Sequence, residues 1–497
     1  MKRVTISPTE QSLLESLREA GIVLDAVCNG RGTCGRCKVR VIDPQGIPTR
    51  DEQRRLTRSE LNQGIRLACQ YRPTFETIVE IPEEGSYSIL GVESDRFDYR
   101  SGDDLLRIAI DIGTTTIAMV MVDPNGTVVG EARFLNPQRT YGADVLSRIQ
   151  VAIEQDPDIL SDVLCSGIEE ALRKLTKDYG DRLFRIGVTG NPTMTHFFMR
   201  APVKPIIQVP YSCAVTTQSN FAIDAVFPSL KLKGELIVYP PIAAYVGADI
   251  LCGLAELGYA HAKGTRLFLD LGTNGELVLL KDGHLFAAST AAGPAFEGGN
   301  LSCGIGSVAG AICATDRNID SSIGYQTLDD QPAIGICGSG YISLLRQIVE
   351  HEMDESGLLQ HEIKLTDAIR LTQHDVRKFQ LAKSAIRSGI EILLEKTDTK
   401  VEDIRQFDLA GGFGSHLDLE AAIRIGLFPK GLQTKIKIAG NTALRGTVKL
   451  LFEPKNIIET DRIHVIELAS EASLMNLFIQ HLSFTQDGGN EHAQESD

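Results

Sequence analysis

The chain has 497 residues, 23% of them charged and 43% hydrophobic, long enough for several domains with sizeable cores. A formal net charge of −15 argues against a nucleic-acid partner, and ten cysteines in a chain of this size do not suggest a disulfide scaffold. No apolar run reaches the ~18 residues of a membrane span and no signal-like stretch follows Met1, so a cytoplasmic, reducing location without a membrane partner is expected.

Residues 1–86 read as one small α+β domain. Val4-Thr5-Ile6 is a strand, and Ser12 to Ala20 is a helix with Leu13, Leu14 and Leu17 on one face. A Gly-rich loop follows, then strands over Lys38–Ile42 and Ile78–Ile81. The loop carries Cys28, Cys34 and Cys37, and Cys69 arrives alone from later in the chain, in the pattern C-x5-C-x2-C-x31-C. Four thiolates suit zinc or an iron–sulfur cluster. Structural zinc usually takes two short knuckles, whereas three cysteines on one loop plus a distant fourth lie close to the plant-type 2Fe–2S pattern. The longer first gap resembles the adrenodoxin-like branch of the ferredoxins, and a β-grasp ferredoxin domain holding a 2Fe–2S cluster is expected; zinc or free thiols are the alternative. Gly30, Gly32 and Gly35 let the loop turn tightly and aim N–H groups at sulfur. Cys165, Cys213, Cys252, Cys303, Cys313 and Cys337 stand singly among apolar or Gly-rich residues and read as small buried hydrophobes.

Residues 87–104 are polar, acidic and aperiodic, and read as a linker. From Leu105 strands alternate with helices to about residue 485, as in α/β folds, and 486–497 read as a disordered tail. Two segments of this larger part echo one another: Ile108 to Thr116 and Leu267 to Glu276. Each is an apolar strand ending in an Asp (Asp111, Asp270), a Gly-Thr turn (Gly113, Thr114, Thr115, Thr116; Gly272, Thr273, Asn274, Gly275) and a second apolar strand. Glycine lets backbone approach phosphate oxygens, Thr hydroxyls and N–H groups donate to them, and an Asp at the strand end suits a Mg²⁺-bound or attacking water. A third element, Phe407 to His416, runs from an apolar strand into the turn Gly411, Gly412, Phe413, Gly414, which suits adenosine. There is no Walker A or Rossmann signature.

These three motifs resemble phosphate-1, phosphate-2 and adenosine of the acetate and sugar kinase, heat-shock chaperone and actin superfamily. Tyr239 to Asp249 resembles its first connecting helix, and Gly440 to Gly446 sits where the second would be. The resemblance implies a two-lobed ATPase that takes ATP and Mg²⁺, α/β overall, fused to the ferredoxin domain. A ferredoxin joined to this fold resembles the reductive activators of corrinoid proteins. Further segments carry that likeness: Gly190 to His196, Ala292 to Asn300 and Gly335 to Gly340. The chain looks shorter than members with a longer middle region, for which only the linker is expected to be available.

The resemblance implies ATP-dependent transfer of one low-potential electron from the cluster to Co(II), restoring Co(I). It implies a corrinoid protein of a methyltransferase or O-demethylase system as partner, and an upstream low-potential electron donor. Catalytic candidates are Asp111, Asp270 and Glu297; Ser302 and Cys303 are candidates for approaching cobalt. Asp282-Gly283-His284 only partly matches a corrinoid lower-ligand motif and reads as a hairpin turn, so the corrinoid belongs to the partner. An activator of a radical dehydratase, a kinase with a redox-sensing ferredoxin domain and a chaperone-like binding module are the other readings. Oligomeric state is open, a homodimer among the choices.

Overall fold

The computed structural model describes residues 2–20, 22, 24, 26, 30, 32, 35, 37–81, 96–142, 144–180, 182–319, 322–349, 351–354, 356–411 and 417–484. Cys28, Cys34, Gly412, Phe413, Gly414, residues 87–95 and residues 486–497 lie outside these.

The N-terminal unit comprises β1 (Lys2–Ile6), α1 (Leu13–Glu19), β2 (Lys38–Val41), α2 (Arg50–Arg55), α3 (Arg58–Asn62), β3 (Ile65–Leu67) and β4 (Thr77–Ile81). Helix α1 starts where Ser12 and Glu15 cap each other: Glu15 N–H donates to Ser12 Oγ at 3.3 Å, and Ser12 N–H to Glu15 Oε2 at 2.8 Å. Its Leu13, Leu14 and Leu17 are buried against a sheet of order β1-β4-β2-β3, all pairs antiparallel. Helices α2 and α3, absent from the sequence reading, fix the connection between β2 and β3. Buried Glu52 of α2 takes both arms of Arg66 at 2.9 Å each and the Leu67 N–H at 3.1 Å, so the charge is fully paired.

The first lobe comprises β5 (Leu106–Ile112), β6 (Thr116–Val122), β7 (Val128–Leu135), α4 (Val145–Glu154), α5 (Ile159–Thr176), β8 (Leu183–Gly190), α6 (Pro192–Phe198), α7 (Lys204–Ile207), β9 (Ser219–Ala222), α8 (Ile223–Val226), β10 (Lys233–Val238) and α9 (Ala248–Glu256). The second comprises β11 (Thr265–Leu271), β12 (Gly275–Lys281), β13 (His284–Thr290), β14 (Ala311–Arg317), β15 (Ile323–Thr327), β16 (Gly335–Ile336), α10 (Gly338–Ile348), β17 (Ile363–Lys364), β18 (Arg370–Leu371), α11 (Gln373–Lys396), β19 (Ile404–Gly411), α12 (Leu419–Arg424), β20 (Ile436–Gly440), α13 (Thr442–Phe452), β21 (Ile463–Val465) and α14 (Leu474–Gln480).

The two main sheets repeat one plan. Their orders are β7-β6-β5-β8-β10-β9 and β20-β19-β11-β12-β13-β21. In each, three antiparallel strands are followed by two parallel ones: β5 pairs with β8 and β8 with β10, as β11 pairs with β19 and β19 with β20. This is the duplication expected from the paired motifs. The turn at Asp282-Gly283 joins β12 to β13, with both residues at positive φ, so that segment is a hairpin as expected.

The lobes exchange helices. Helix α9 presses Ile250, Leu251 and Leu254 onto Phe268, Val278 and Ala410 of the second sheet. Helix α13 returns the exchange, packing Leu444, Val448 and Leu451 against Ala109, Val120 and Ile237 of the first. Where the helices cross, a Cβ at Gly446 would collide with the Cys252 backbone, so only glycine permits this approach. Residues 96–104 of the expected linker lie on the first lobe: Phe97 is buried and its N–H donates to Gly126 O at 2.7 Å. Among the described residues, no helix is long and apolar enough to cross a membrane.

Candidate functional site: a carboxylate-lined cleft and a two-cysteine corner

Both phosphate-type hairpins point their turns into the gap between the lobes. Asp111 sits near the end of β5, opposite Ala118 of β6 and Thr189 of β8. Asp270 takes the same place on β11, opposite Glu276 and Ala410. The turns are held from behind. Gly113 N–H donates to Thr116 O at 3.0 Å, and Gly272 N–H to Asn274 O at 3.0 Å. Asn136 Nδ2 donates to Gly113 O at 2.9 Å, and the buried Arg148 guanidinium donates to Thr114 O at 2.6 Å and Gly142 O at 3.0 Å. Thr114 Oγ1 accepts from Asn191 Nδ2 at 2.9 Å. Thr115 O accepts the Asn136 N–H at 2.9 Å, and Thr116 opens β6.

The cleft is more acidic than the two aspartates alone. Asp249, in the first turn of α9, joins them because Gly247 lies so close to the Gly190–Asn191 backbone that a Cβ would come within 2.7 Å of it. Burial, then the Asp111 charge, pushes Asp249 up to about 7. Burial raises Asp111 to about 6 against a hydrogen bond from Asn441 Nδ2 at 3.2 Å. Asp270 is pushed up to about 8 by burial and then by Asp249, Asp111 and Glu297. Glu276 is raised well above the carboxylate range by burial and by Asp249 and Asp270. Glu297 accepts from Thr273 Oγ1 at 2.7 Å, and burial raises it too. Neighbouring carboxylates add to burial in raising Asp249, Asp270 and Glu276, while burial alone raises Asp111 and Glu297, and this crowding of carboxyl groups fits a ligand bearing positive charge. Among the described residues no three His, Cys, Asp or Glu side chains could chelate an ion.

The adenosine-type turn is described only at Gly411. It ends β19 at φ +108°, where a Cβ would strike Leu271 O. The sequence reading passed over Asp249, Glu276, Asn191, Asn441 and Arg148 as site residues, although the first four stand inside motifs it quotes. Ser302 and Cys303 lie beside the loop of Glu297 but bond to the start of α11 and the segment that leads into it. Ser302 N–H donates to Asp375 Oδ1 at 2.7 Å, and the Cys303 thiol to Ala368 O at 3.7 Å. His196 is buried, its Nε2 accepting the Ala214 N–H at 2.9 Å, which gives it a structural role.

Of the four expected cluster ligands, Cys37 and Cys69 are described, the first buried and the second half-buried. Cys37 O accepts the Ala68 N–H at 2.8 Å, which sets Cys37 and Cys69 at one corner of the β2–β3 ladder. Gly30, Gly32 and Gly35 all have φ between +69° and +79°, the tight loop such a group needs. Gln70 Nε2 donates to Cys69 Sγ at 3.8 Å, a side-chain N–H already aimed at the sulfur. This corner fits a cluster. Of the six other cysteines, Cys252, Cys313 and Cys337 are buried in the lobes, as expected, whereas Cys165, Cys213 and Cys303 are only half-buried, which corrects the expectation for them.

Comparison with known proteins agrees with both halves. Residues 2–74 match the 2Fe-2S iron-sulfur cluster binding domain, 106–261 the RACo middle region, and 264–494 the C-terminal domain of RACo, the ASKHA domain. The middle region is therefore present, as the segment that folds into the first lobe, and the expectation that only the linker remained for it is corrected. The chain is 30% identical to the corrinoid activation enzyme RamQ of Eubacterium limosum over 422 residues, covering 76% of this chain and 70% of that protein. It is 26% identical to the [Co(II) methylated amine-specific corrinoid protein] reductase of Methanosarcina barkeri, covering 77% of each. A solved reductive activator for corrinoid, iron-sulfur protein superposes with TM-score 0.68 at 28% identity over 97% of this chain and 96% of that one. With a 2Fe–2S domain ahead of a two-lobed, actin-like ATPase cleft, the chain belongs to the family of the corrinoid activation enzymes.

Proposed function

We propose that this protein is an ATP-dependent reductive activator that returns the Co(II) of a corrinoid protein to Co(I). Cys28, Cys34, Cys37 and Cys69 hold the cluster on residues 1–86, ATP and Mg²⁺ occupy the cleft of residues 105–485, and the protein works in the cytoplasm. The observation that carries this reading is the presence, on one chain, of a cysteine corner suited to moving electrons and a carboxylate cleft suited to moving phosphate. Neither alone couples ATP to reduction.

The cluster supplies one electron at a potential near about −400 mV, and Mg²⁺ supplies charge neutralisation on the phosphates. Gly113, Thr114, Thr115 and Thr116 receive one part of the phosphate chain, and Gly272, Thr273, Asn274 and Gly275 the other, through N–H and hydroxyl donors. Gly411 to Gly414 accept adenosine. Asp111 and Asp270 orient waters, and Glu297, held by Thr273, stands ready to take the proton of an attacking water. Asn441 begins α13 and bonds Asp111, so nucleotide contact with β5 reaches the helix exchanged between the lobes. Held by Cys28, Cys34, Cys37 and Cys69, the cluster would supply the single electron, taken from an upstream donor, that reduces the partner's Co(II) to Co(I).

The test is an anaerobic assay with a corrinoid protein, following phosphate release and Co(I) absorbance together. The wild type should form Co(I) only with ATP. Asp270→Ala should lose both signals while keeping its iron. Full Co(I) formation without nucleotide would overturn the reading.

A further inference from the structure

Arg18 is the one cation of α1 that leaves its own domain. It lies in the last turn of the helix, and its guanidinium carbon stands 4.7 Å from the centroid of the Tyr141 ring in the first lobe. Tyr141 is 8% exposed and belongs to the lobe core. It is fixed by its N–H to Gln138 O at 2.9 Å, in a turn whose Gln138 Nε2 donates to Leu160 O at 3.0 Å. The seat of Arg18 is therefore rigid.

The same stretch of α1 also borders the cysteine corner, Leu14 lying one helical turn before Arg18. Leu14 and Leu17 share a core with Cys37, and Cys69 packs against it. The helix start is tied to that corner by Leu14 N–H to Ala68 O at 2.9 Å and Leu13 N–H to Tyr71 O at 2.8 Å. A Cβ at Gly30, on the cysteine loop, would sit 3.8 Å from Leu14 and 3.9 Å from Cys69. Burial pulls the Arg18 pKa down, while Tyr141, Glu15 and the sulfurs of Cys37 and Cys69 act on it in the opposite sense. Its guanidinium, covered by the Tyr141 ring, thus stands one helical turn from Leu14, which packs at the corner of the two expected ligands.

We propose that Arg18, seated on Tyr141, is a positioning residue that sets the cluster potential: it stabilises the reduced cluster while the small domain rests on the first lobe, and releases that stabilisation when the domain leaves. The inference rests on the reading that Cys37 and Cys69 are cluster ligands. Reduction adds one negative charge beside these sulfurs, and a desolvated cation favours the added electron. Undocking returns Arg18 to water, where its field is screened. The departing domain then carries a more strongly reducing electron, which is the direction that transfer to a low-potential acceptor needs.

The test is an EPR-monitored redox titration of the full chain, cluster-loaded under anaerobic conditions. At the wild-type midpoint, Arg18→Gln should lower the ratio of reduced to oxidised cluster about tenfold, a shift of about 59 mV for one electron. Arg18→Lys should recover most of it. Tyr141→Ala should shift the midpoint in the same direction, and adding it to Arg18→Gln should change nothing further. Arg40→Gln, on the opposite sheet face and paired to Glu80 at 3.1 Å, should leave the midpoint in place. Loaded Arg18→Gln protein with an unmoved midpoint, or a shift matched by Arg40→Gln, would overturn this inference alone. A wild-type chain that takes up no iron would remove the cluster reading as well.

Discussion

The nucleotide-free cleft should make the protein less stable as pH rises. Asp111, Asp249 and Asp270 are raised from 3.8 to about 6, 7 and 8. In the unfolded chain all three are ionised above about pH 5, so the folded state alone holds their protons. A raised acid pKa gives stability that is present at low pH and lost as pH climbs through the folded values. Between pH 6 and 8 the folded cleft holds on average roughly 1.5 more protons than the unfolded chain, which at about 1.4 kcal/mol per proton and pH unit is about 4 kcal/mol. The carboxyls keep some surface open to the cleft, so we halve this to about 2 kcal/mol for solvent screening. For a domain of this size that is a fall in Tm on the order of 4 °C. Thermal melts followed by circular dichroism at pH 6, 7 and 8 would measure it against Asp270→Asn, which should flatten the slope and melt higher at pH 8 despite losing turnover. Mg²⁺ with ADP should flatten it too. A wild-type slope unchanged in Asp270→Asn would refute the raising of these groups.

Other expectations concern single contacts. Cys69→Ser should lose the visible cluster spectrum and about two irons per chain, whereas Cys252→Ser should keep both. Gly446→Ala should force α9 and α13 apart, costing about 3 kcal/mol or more and lowering the Tm of the lobes, while the iron content stays at the wild-type level. Arg148→Met should weaken ATP binding without touching the nucleotide, because Thr114 O and Gly142 O lose a charged donor worth roughly 1.5–3 kcal/mol; isothermal titration calorimetry would read this, and unchanged affinity would dismiss the bracing role.

Much of the molecule is legible in its residues. A hairpin announces itself locally, so Asp111 and Asp270 follow from an apolar strand meeting Gly-Thr, and the α1 face follows from Leu13, Leu14 and Leu17. Asp249 does not, because what brings it into the cleft is the close approach of Gly247 to Asn191. That approach exists only once β8 and β10 lie side by side, some 50 residues apart in the chain. Arg148 reads as a solvated helix cation until the turn at Gly142 folds back over it. Arg18 was equally silent, since nothing in α1 names a ring in another domain. The linker is a compositional inference, and composition does not register that Phe97 finds a buried place beside Gly126.

The exchange of helices between lobes also bears on how the chain is made. Strands β5, β6 and β8 leave the ribosome early, yet Ala109 and Val120 stay uncovered until Leu444, Val448 and Leu451 emerge, more than two hundred residues after β10 ends. At roughly 5–20 residues per second, the first lobe waits about 10–40 seconds with one apolar face open. Synthesis therefore passes through an obligatory half-covered nascent state. Its exposed face is the surface a trigger-type chaperone would hold, and a helix made near the end of synthesis is the one that closes the first lobe to be made.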